Sequence, residues 1–295
     1  MPSFKLSPMH AEMQICERTL ISAEWITTHI SKSSKLPFPT PEHPSKMADL
    51  SLLPNLSPDE LYFLAKAAEQ AERFEGEAHS DMVHFMHAYV PKVTRDLNTE
   101  ERVALSVAYK NVIGIRRASW RVLTAIERKE AERGNRAGSQ RAAEYRKEVE
   151  NELQRLCLAV LDLVHGLEER AVQLNRAFYC KMKGDYCRYI CEFLAVDRTS
   201  WVKRANEAYE TGVLAARTEL RAFDPTRLGL VLNFAVFKYE IMGETEAACG
   251  LVRQVRLEAL EELGGAEAPS RDTTVLLQLL EDNLSLWNCA LAEEG

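Results

Sequence analysis

The sequence lacks both a long hydrophobic run and an apolar segment behind a basic amino terminus. No apolar run among the 295 residues reaches the roughly 18 needed to cross a bilayer, and the opening MPSFKLSPMHAEMQ contains no secretory signal. Hydrophobic residues make up 46% and charged residues 27% of the chain, which is an ordinary globular composition. These features exclude disorder throughout and predict a cytoplasmic protein without a membrane span.

The sequence also lacks an excess of positive charge, and its number of cysteines is not even. The formal net charge is -7, which argues against a general nucleic-acid binder because phosphate backbones are held by excess cation. Any anion site must therefore be local. The seven cysteines are odd in number and widely scattered, which predicts free thiols in a reducing cytosol rather than a disulfide framework.

Enzyme signatures are mostly missing. The chain has no G-x-x-x-x-G-K-[ST], G-x-G-x-x-G, H-E-x-x-H or G-x-S-x-G pattern. Two clusters have metal-like spacing, namely Cys180, Cys187 and Cys191, and His79, His84 and His87. Because no histidine or fourth cysteine lies near the first cluster, burial in a core is favoured for it, and a solvated helix face is favoured for the second. We therefore predict no enzyme, no metal and no cofactor.

Proline usage divides the chain. Eight of the eleven prolines lie within the first 58 residues, and proline blocks a helix interior because it has no amide donor. We predict an amino-terminal extension over residues 1–57, with a short amphipathic helix in MHAEMQICERTLISAEWITTHI. A helical domain over 58–292 and a short tail over 293–295 are expected to follow.

The pattern from Ser57 onward is helical. The tetrapeptide Ser57-Pro58-Asp59-Glu60 predicts a helix start, because it combines a capping box with proline in the first turn. No later segment alternates in the manner of a strand, so the fold class is predicted as all-α with about nine antiparallel helices. The helices expected after the first cover 79–95, 99–133, 142–164, 167–195, 199–221, 225–241, 244–263 and 270–292.

Four residues form a candidate phosphate site. Lys110 and Arg117 are seven apart, so their side chains leave one helix face with about 10 Å between their origins. Arg188 and Tyr189 stand mid-helix in KMKGDYCRYICEF, where a guanidinium is awkward unless it meets an anion. A phosphoryl group offers three acceptor oxygens and about -1.5 to -2 charges, which these donors match. On spacing alone, however, a solvated cationic face paired with nearby carboxylates is the favoured interpretation.

Two apolar stripes each carry an amide. The first comprises Leu232, Asn233, Val236 and Glu240, and the second comprises Leu276, Leu279, Asn283 and Trp287. A buried asparagine must be hydrogen-bonded, and its side chain supplies the donor and the acceptor that an extended peptide backbone needs. Each stripe alone favours a core. Together with the cationic cluster, the stripes predict a groove with a phosphate site, an amide-lined floor and an apolar wall.

Five segments resemble the signature segments of the 14-3-3 proteins. In chain order they are LAKAAEQAERFE, LSVAYKNVIGIRRASWR, FYCKMKGDYCRY, RLGLVLNFAVFKYEI and LLQLLEDNLSLW. The resemblance runs from about Ser57 to Trp287. It implies a cup-shaped protomer of nine helices that dimerises through its first four helices and binds phosphoserine or phosphothreonine peptides in a concave groove.

The resemblance also implies a role for individual residues. The family's phosphate-binding residues correspond to Lys110, Arg117, Arg188 and Tyr189, and its two peptide-backbone amides to Asn233 and Asn283. Supporting groove residues correspond to Asp185, Leu232, Val236, Glu240, Leu279 and Trp287. At the dimer interface, Arg73 and Glu152 are positioned to keep one intersubunit bridge, and Ser119 resembles an interface serine that kinases modify in some members.

Several positions depart from the family pattern. Lys238 and Glu281 stand where tyrosine and arginine are common, which predicts altered electrostatics around the groove. Glu148 stands where lysine is common, and Ala137 lies near another position that is often cationic, so partner bridges are expected to be lost there. The family's longer acidic tail is nearly absent, and the extension over 1–57 is not a family feature.

The predicted function is a phosphopeptide-binding adaptor. It would clamp phosphorylated client proteins as a homodimer or heterodimer and regulate their activity, interactions or localisation. The alternative is a phosphate-independent helical scaffold of tetratricopeptide type, which predicts no effect of phosphorylation on peptide binding. A metal-dependent helical enzyme that uses the cysteine or histidine cluster is a further alternative of a different class.

Overall fold

The protein is helical in the part of the chain that its computed structural model describes, residues 50–73, 80–194, 196–264 and 269–294. Within these ranges it contains nine α-helices and no strand, as the all-α prediction requires. The helices are α1 Pro58–Gln70, α2 Asp81–Tyr89, α3 Thr99–Glu132, α4 Arg136–Glu168, α5 Gln173–Phe193, α6 Arg198–Glu219, α7 Pro225–Phe237, α8 Thr245–Leu263 and α9 Arg271–Glu294. The helix expected in the extension lies outside the described residues, and so does His79.

Capping residues fix where two of the helices begin. Ser57 accepts from the backbone N–H of Glu60, whose carboxylate in turn accepts from the Ser57 backbone N–H at 2.8 Å. Asn98 and Glu101 repeat this reciprocal pair at the start of α3. Each pair satisfies donors that a helix amino terminus otherwise leaves without a partner, which stabilises the start by about 1 kcal/mol.

Several of the expected boundaries are wrong. α4 continues to Glu168 instead of ending at 164, and α5 therefore begins at Gln173 instead of at 167. α4 begins at Arg136 rather than at 142, because the turn occurs at Gly134, with φ +73°, and Asn135 caps the new helix by accepting from the Gly138 N–H. Gly138 therefore lies in the first turn of α4 and does not break it. α2 ends at Tyr89, and a 3₁₀ turn over Val90–Lys92 follows, where the ring of Pro91 removes an amide donor.

The described chain divides into two compact units, one ending at Ala208 and the other beginning at Tyr209. In the amino-terminal unit, α3 packs along α4, and α4 packs along α5. Its buried core includes Leu105, Val112, Leu153 and Val160. Its first described turn is tied down by Lys92, whose Nζ donates to the carbonyl oxygens of Pro54 and Leu56, each at 2.8 Å.

A buried carboxylate anchors the amino-terminal unit next to the start of α3. Glu101 is 3% exposed and receives two hydrogen bonds of 2.7 Å from Arg95 and one of 2.6 Å from the Tyr89 hydroxyl. The Arg95 guanidinium, followed by the other donors, overcomes the effect of burial and lowers the pKa of Glu101 to about 2. Its charge is therefore part of the folded structure at neutral pH.

In the carboxy-terminal unit, α7, α8 and α9 pack against one another around a single apolar core. Tyr209 stacks on Phe234, with the ring centroids 5.3 Å apart. A π-helical turn over Lys238–Met242 continues α7 and ends at Gly243, which has φ +70°. Across the described ranges of both units, each helix is too short or too polar to be a candidate for crossing a membrane.

Candidate functional site

Two arginines flank one tyrosine in the amino-terminal unit. The Cζ of Arg117, on α3, lies 4.0 Å from the centroid of the Tyr189 ring, and the Cζ of Arg188 lies 4.6 Å from the same centroid. Tyr186 meets the Tyr189 ring edge-on at 5.6 Å. The structure therefore brings together three of the four residues of the predicted phosphate site, from two different helices.

The carboxylate of Glu192 contacts both arginines. Arg117 donates to its carboxylate through Nε at 2.9 Å and through Nη2 at 2.8 Å, and Nη1 of Arg188 lies 3.4 Å from Oε1 of Glu192. Such a two-pronged pair is the strongest arrangement for a guanidinium and a carboxylate. The shared carboxylate lowers the repulsion between two like charges on one aromatic ring.

Burial and charge act in opposite directions on this cluster. Arg117 is 3% exposed and Arg188 is 1% exposed. Burial by itself would lower the pKa of Arg117, but the Glu192 carboxylate more than offsets that effect, so the pKa stands above its ordinary value. Both side chains stay positively charged in a low-dielectric setting, where an anion is attracted more strongly than in water.

Asp185 and Lys110 complete the predicted set in this unit. Asp185 accepts from Lys181 Nζ at 2.7 Å, and its other oxygen lies 3.7 Å from Nη2 of Arg188. Asp185 lies three residues before Arg188, and Glu192 lies four residues after it, so the two acids contact this arginine from different turns of α5. Lys110 is half-buried on α3, two helical turns before Arg117. Arg117 and Arg188 are the cations that the structure brings together, and their contacts with Glu192 and Asp185 orient two guanidinium groups that suit an oxyanion.

Glu192 was not among the residues that the sequence analysis selected. Its signal was its spacing, because it lies four residues after Arg188 and three after Tyr189 on the same helix. That spacing is shared by many surface pairs in this chain. What distinguishes Glu192 is its contact with Arg117, 75 positions away, which depends on how α3 and α5 pack.

The cysteine cluster belongs to the core. Cys180, Cys187 and Cys191 are all buried on α5, as the packing interpretation predicted. Burial raises the pKa of the Cys187 thiol to about 12 and that of Cys191 to about 11, so both stay protonated at neutral pH. Among the described residues, no group of three or more histidine, cysteine or acidic side chains is placed to hold a metal ion.

The expected histidine face is only partly solvated. His87 is exposed, but its Nδ1 lies 3.0 Å from the hydroxyl of the buried Tyr109. His84 is half-buried, and burial lowers its pKa. These two histidines therefore interact with the core of the amino-terminal unit as well as with solvent.

The carboxy-terminal unit holds the two amide-bearing stripes. Their apolar members lie in its core, where Leu232, Val236, Leu276, Leu279 and Trp287 are all buried. Asn283 is also buried, whereas Asn233 is half-buried and Glu240 is exposed in the π-helical turn. Trp287 stacks on Tyr239 at 5.1 Å. The burial of the apolar members agrees with the core interpretation of each stripe taken alone.

The two residues near these stripes that depart from the family pattern, Lys238 and Glu281, each form an ion pair. Lys238 Nζ lies 2.8 Å from Glu244 and 5.0 Å from the centroid of the Phe234 ring. Glu281 on α9 pairs with Arg256 on α8. Both altered charges therefore have partners inside the carboxy-terminal unit.

The predicted dimer residues contact their own chain. Arg73 pairs with Asp81, and Glu152 on α4 pairs with Arg116 on α3 at 2.8 Å. Ser119 is exposed, and its hydroxyl donates to the Ile115 carbonyl oxygen one turn earlier at 3.1 Å.

Comparison with known proteins gives one consistent result. The family model described as "14-3-3 protein" matches residues 64–288. The chain is 43% identical over 242 residues to "14-3-3-like protein A" of Vicia faba, across 80% of this chain and 91% of that relative. It is 44% identical over 239 residues to "14-3-3 protein homolog" of Trichoderma harzianum, across 80% of this chain and 89% of that relative.

Proposed function

The chain belongs to the 14-3-3 family, and we propose that its function as a phosphopeptide-binding adaptor depends on Lys110, Arg117, Arg188 and Tyr189 as the phosphate-binding residues. The observation that supports this assignment is the convergence of Arg117 and Arg188 on the Tyr189 ring, from two helices of the amino-terminal unit. Two guanidinium groups, an ammonium and a phenol supply the donors that a phosphate dianion requires.

The same cluster explains why phosphorylation would act as a switch. A hydrogen bond to a charged group contributes about 1.5 to 3 kcal/mol, so several such bonds separate a phosphorylated peptide from its plain form by orders of magnitude in affinity. The tetratricopeptide alternative lacks this dependence, and the family assignment does not favour it.

A peptide titration tests the proposal. A fluorescent phosphoserine peptide and its unphosphorylated form are titrated against the wild type, Arg117→Lys and Arg188→Lys, which keep the charge but lose the planar fork. We expect tight binding of the phosphopeptide by the wild type and about 10- to 100-fold weaker binding by each variant. Equal binding of the two peptides by the wild type would refute the proposal.

Arg128→Lys is the matched control, because Arg128 lies on α3 three turns beyond Arg117 and forms a solvent-exposed ion pair with Glu132. Its phosphopeptide affinity is expected to equal that of the wild type. Circular dichroism of each variant separates a loss of binding from a loss of folding.

For the carboxy-terminal unit we propose Asn233 and Asn283 as peptide-backbone ligands, with Glu240 beside them and a wall of buried apolar residues behind them. Replacement of Asn233 by alanine is expected to lower the affinity for the phosphorylated and the unphosphorylated peptide by a similar factor, because both peptides make the same backbone contacts. The apolar wall comprises Leu232, Val236, Leu276, Leu279 and Trp287.

We also propose a dimer formed through the amino-terminal unit. An exposed stripe on α3 carries Ile115, Val122 and Ile126, and Phe63 on α1 is 63% exposed. Apolar side chains in such numbers on one unit favour burial against a second chain. The ion pairs of Arg73 and Glu152 within their own chain compete with bridges to a partner, which favours a weak dimer. Sedimentation equilibrium of wild type and Val122→Glu tests this, since the variant is expected to be monomeric.

We propose that the protein acts without catalysis and in the cytoplasm. The named 14-3-3 relatives support the adaptor role, and imaging of the tagged full-length protein tests the location. Its clients would be phosphorylated proteins, and a protein doubly phosphorylated at a suitable spacing would gain about 10² to 10⁴ in avidity from two sites held in one dimer.

A further inference from the structure

The orientation of Arg117 is fixed by two neighbours that act in different directions. Glu192 binds the edge of the guanidinium that carries Nε and Nη2, at 2.9 and 2.8 Å. The Tyr189 ring covers one face of the same group at 4.0 Å. An edge contact sets the rotation within the guanidinium plane, and a face contact sets the tilt of that plane. Together they determine the direction of the opposite edge, which carries Nη1.

The same carboxylate extends to the second arginine. Nη1 of Arg188 lies 3.4 Å from the Glu192 oxygen that also accepts from Nη2 of Arg117. Asp185, 3.7 Å from Nη2 of Arg188, approaches that arginine separately and is itself bound by Lys181. Glu192 therefore contacts both guanidinium groups, and a carboxylate shared in this way constrains where one lies relative to the other.

We propose that Glu192 is the positioning residue of the phosphate site, which holds Arg117 and Arg188 in the arrangement that receives a phosphoserine or phosphothreonine. The proposal rests on the phosphate-binding function proposed above and extends it. Glu192 makes no contact with the phosphate in this scheme. It acts through the arginines, and its negative charge lowers the attraction of the site for anions in general while it sharpens the geometry.

Two physical effects of removing this charge oppose each other, which makes the proposal testable. If Glu192 acts mainly as a nearby negative charge, its replacement by glutamine strengthens phosphopeptide binding, because a repulsive charge is lost. If it acts by positioning, the same replacement weakens binding, because an arginine that can adopt several orientations loses entropy when the phosphate binds. The direction of the change decides between them.

The experiment measures phosphopeptide affinity of the full-length wild type, Glu192→Gln, Glu192→Ala and Glu192→Asp by fluorescence anisotropy. We expect about 10-fold weaker binding for Glu192→Gln, a larger loss for Glu192→Ala and partial recovery for Glu192→Asp, which restores the carboxylate on a shorter side chain. Unchanged or tighter binding by Glu192→Gln would overturn the proposal.

Glu168→Gln is the control for general effects of losing a buried acid. Glu168 pairs with Lys183 on α5 at 2.8 Å, and its side chain is 20% exposed against 17% for Glu192. We expect its phosphopeptide affinity to match that of the wild type. An equal loss in Glu168→Gln and Glu192→Gln would assign the effect to stability alone and reject the positioning role.

The Nε–H signal of Arg117 in a nitrogen-15 spectrum gives a readout that folding alone does not move. Its assignment comes from its disappearance in Arg117→Lys. We expect a slowly exchanging signal in the wild type that broadens or shifts in Glu192→Gln, and an identical signal in both would count against the proposal.

If the wild type fails to distinguish phosphorylated from plain peptide, the proposed function fails and this inference fails with it. If only the Glu192 variants match the wild type, the inference alone is rejected.

Discussion

The guanidinium of Arg117 rests on the ring of Tyr189, with its Cζ 4.0 Å from the ring centroid. The tyrosine therefore has two separable uses. In the proposed site its hydroxyl would donate to the phosphate, while its ring contacts the Arg117 guanidinium.

The two uses predict different effects for two substitutions of this tyrosine. Tyr189→Phe keeps the platform and loses the donor, so phosphopeptide affinity is expected to fall about 10-fold. Tyr189→Leu also loses a cation–π contact of about 0.5 to 2 kcal/mol, which lowers affinity by a further factor of about 2 to 30. Anisotropy titrations measure both. Equal affinities of the two variants would show that the ring contributes nothing to binding.

The buried acid at the start of α3 predicts an acid-sensitive fold. Because the pKa of Glu101 is lowered from 4.5 to about 2, its stabilising effect is fully present above pH 4.5 and is lost as the pH falls toward 2. Glu101→Gln is expected to lower the free energy of unfolding by roughly 2 to 3 kcal/mol at pH 7. Urea denaturation at pH 7 and at pH 3 checks this, and the difference between wild type and variant must shrink at the lower pH.

The ion pair between Arg256 and Glu281 predicts a charge-swap result. Glu281→Arg places two arginines together and is expected to lower the free energy of unfolding by about 1 kcal/mol, because the pair is partly exposed. Adding Arg256→Glu restores opposite charges and most of the stability. Thermal melts of the two single variants and the double variant measure the coupling, and strictly additive effects would indicate that the side chains do not interact.

The predicted extension is tested by two truncations. A chain that begins at Leu50 keeps the carbonyl groups of Pro54 and Leu56 that Lys92 binds, whereas one that begins at Ser57 loses both. We expect the longer form to match the full-length protein in melting temperature and phosphopeptide affinity. The shorter form is expected to keep its affinity and to be less stable by about 1 kcal/mol. A large loss of affinity in either would place part of the binding function within residues 1–56.

Helix type and helix starts could be predicted from the sequence, since their causes are local. Ser57 with Glu60, and Asn98 with Glu101, are recognisable because capping depends on residues three apart. The start of α4 was misplaced for a local reason too, since Gly138 resembled a break although Asn135 caps it within the first turn.

The candidate site was predictable only in part, because its geometry depends on how helices pack. Helical spacing made Arg117 and Arg188 candidates, but on spacing alone a solvated face was favoured, and the assignment to a phosphate site came from the two amide-bearing stripes and the family resemblance. The link through Glu192 could not be predicted, because it joins α5 to α3 across 75 positions. Similarly, the burial of Leu232 and Trp287 follows from helices that pack together after folding, which no stripe considered alone specifies.

The π-helical turn over Lys238–Met242 sets the register of the chain beyond α7. Such a turn holds one residue more than an α-helical path of the same length, so deletion of a single residue within it would restore a regular helix. Every later residue of that helix would then rotate by about 100° about its axis. Glu240 would take the direction that Tyr239 has now, and the tyrosine would leave the indole of Trp287. We therefore expect that this segment does not tolerate the deletion of even one residue.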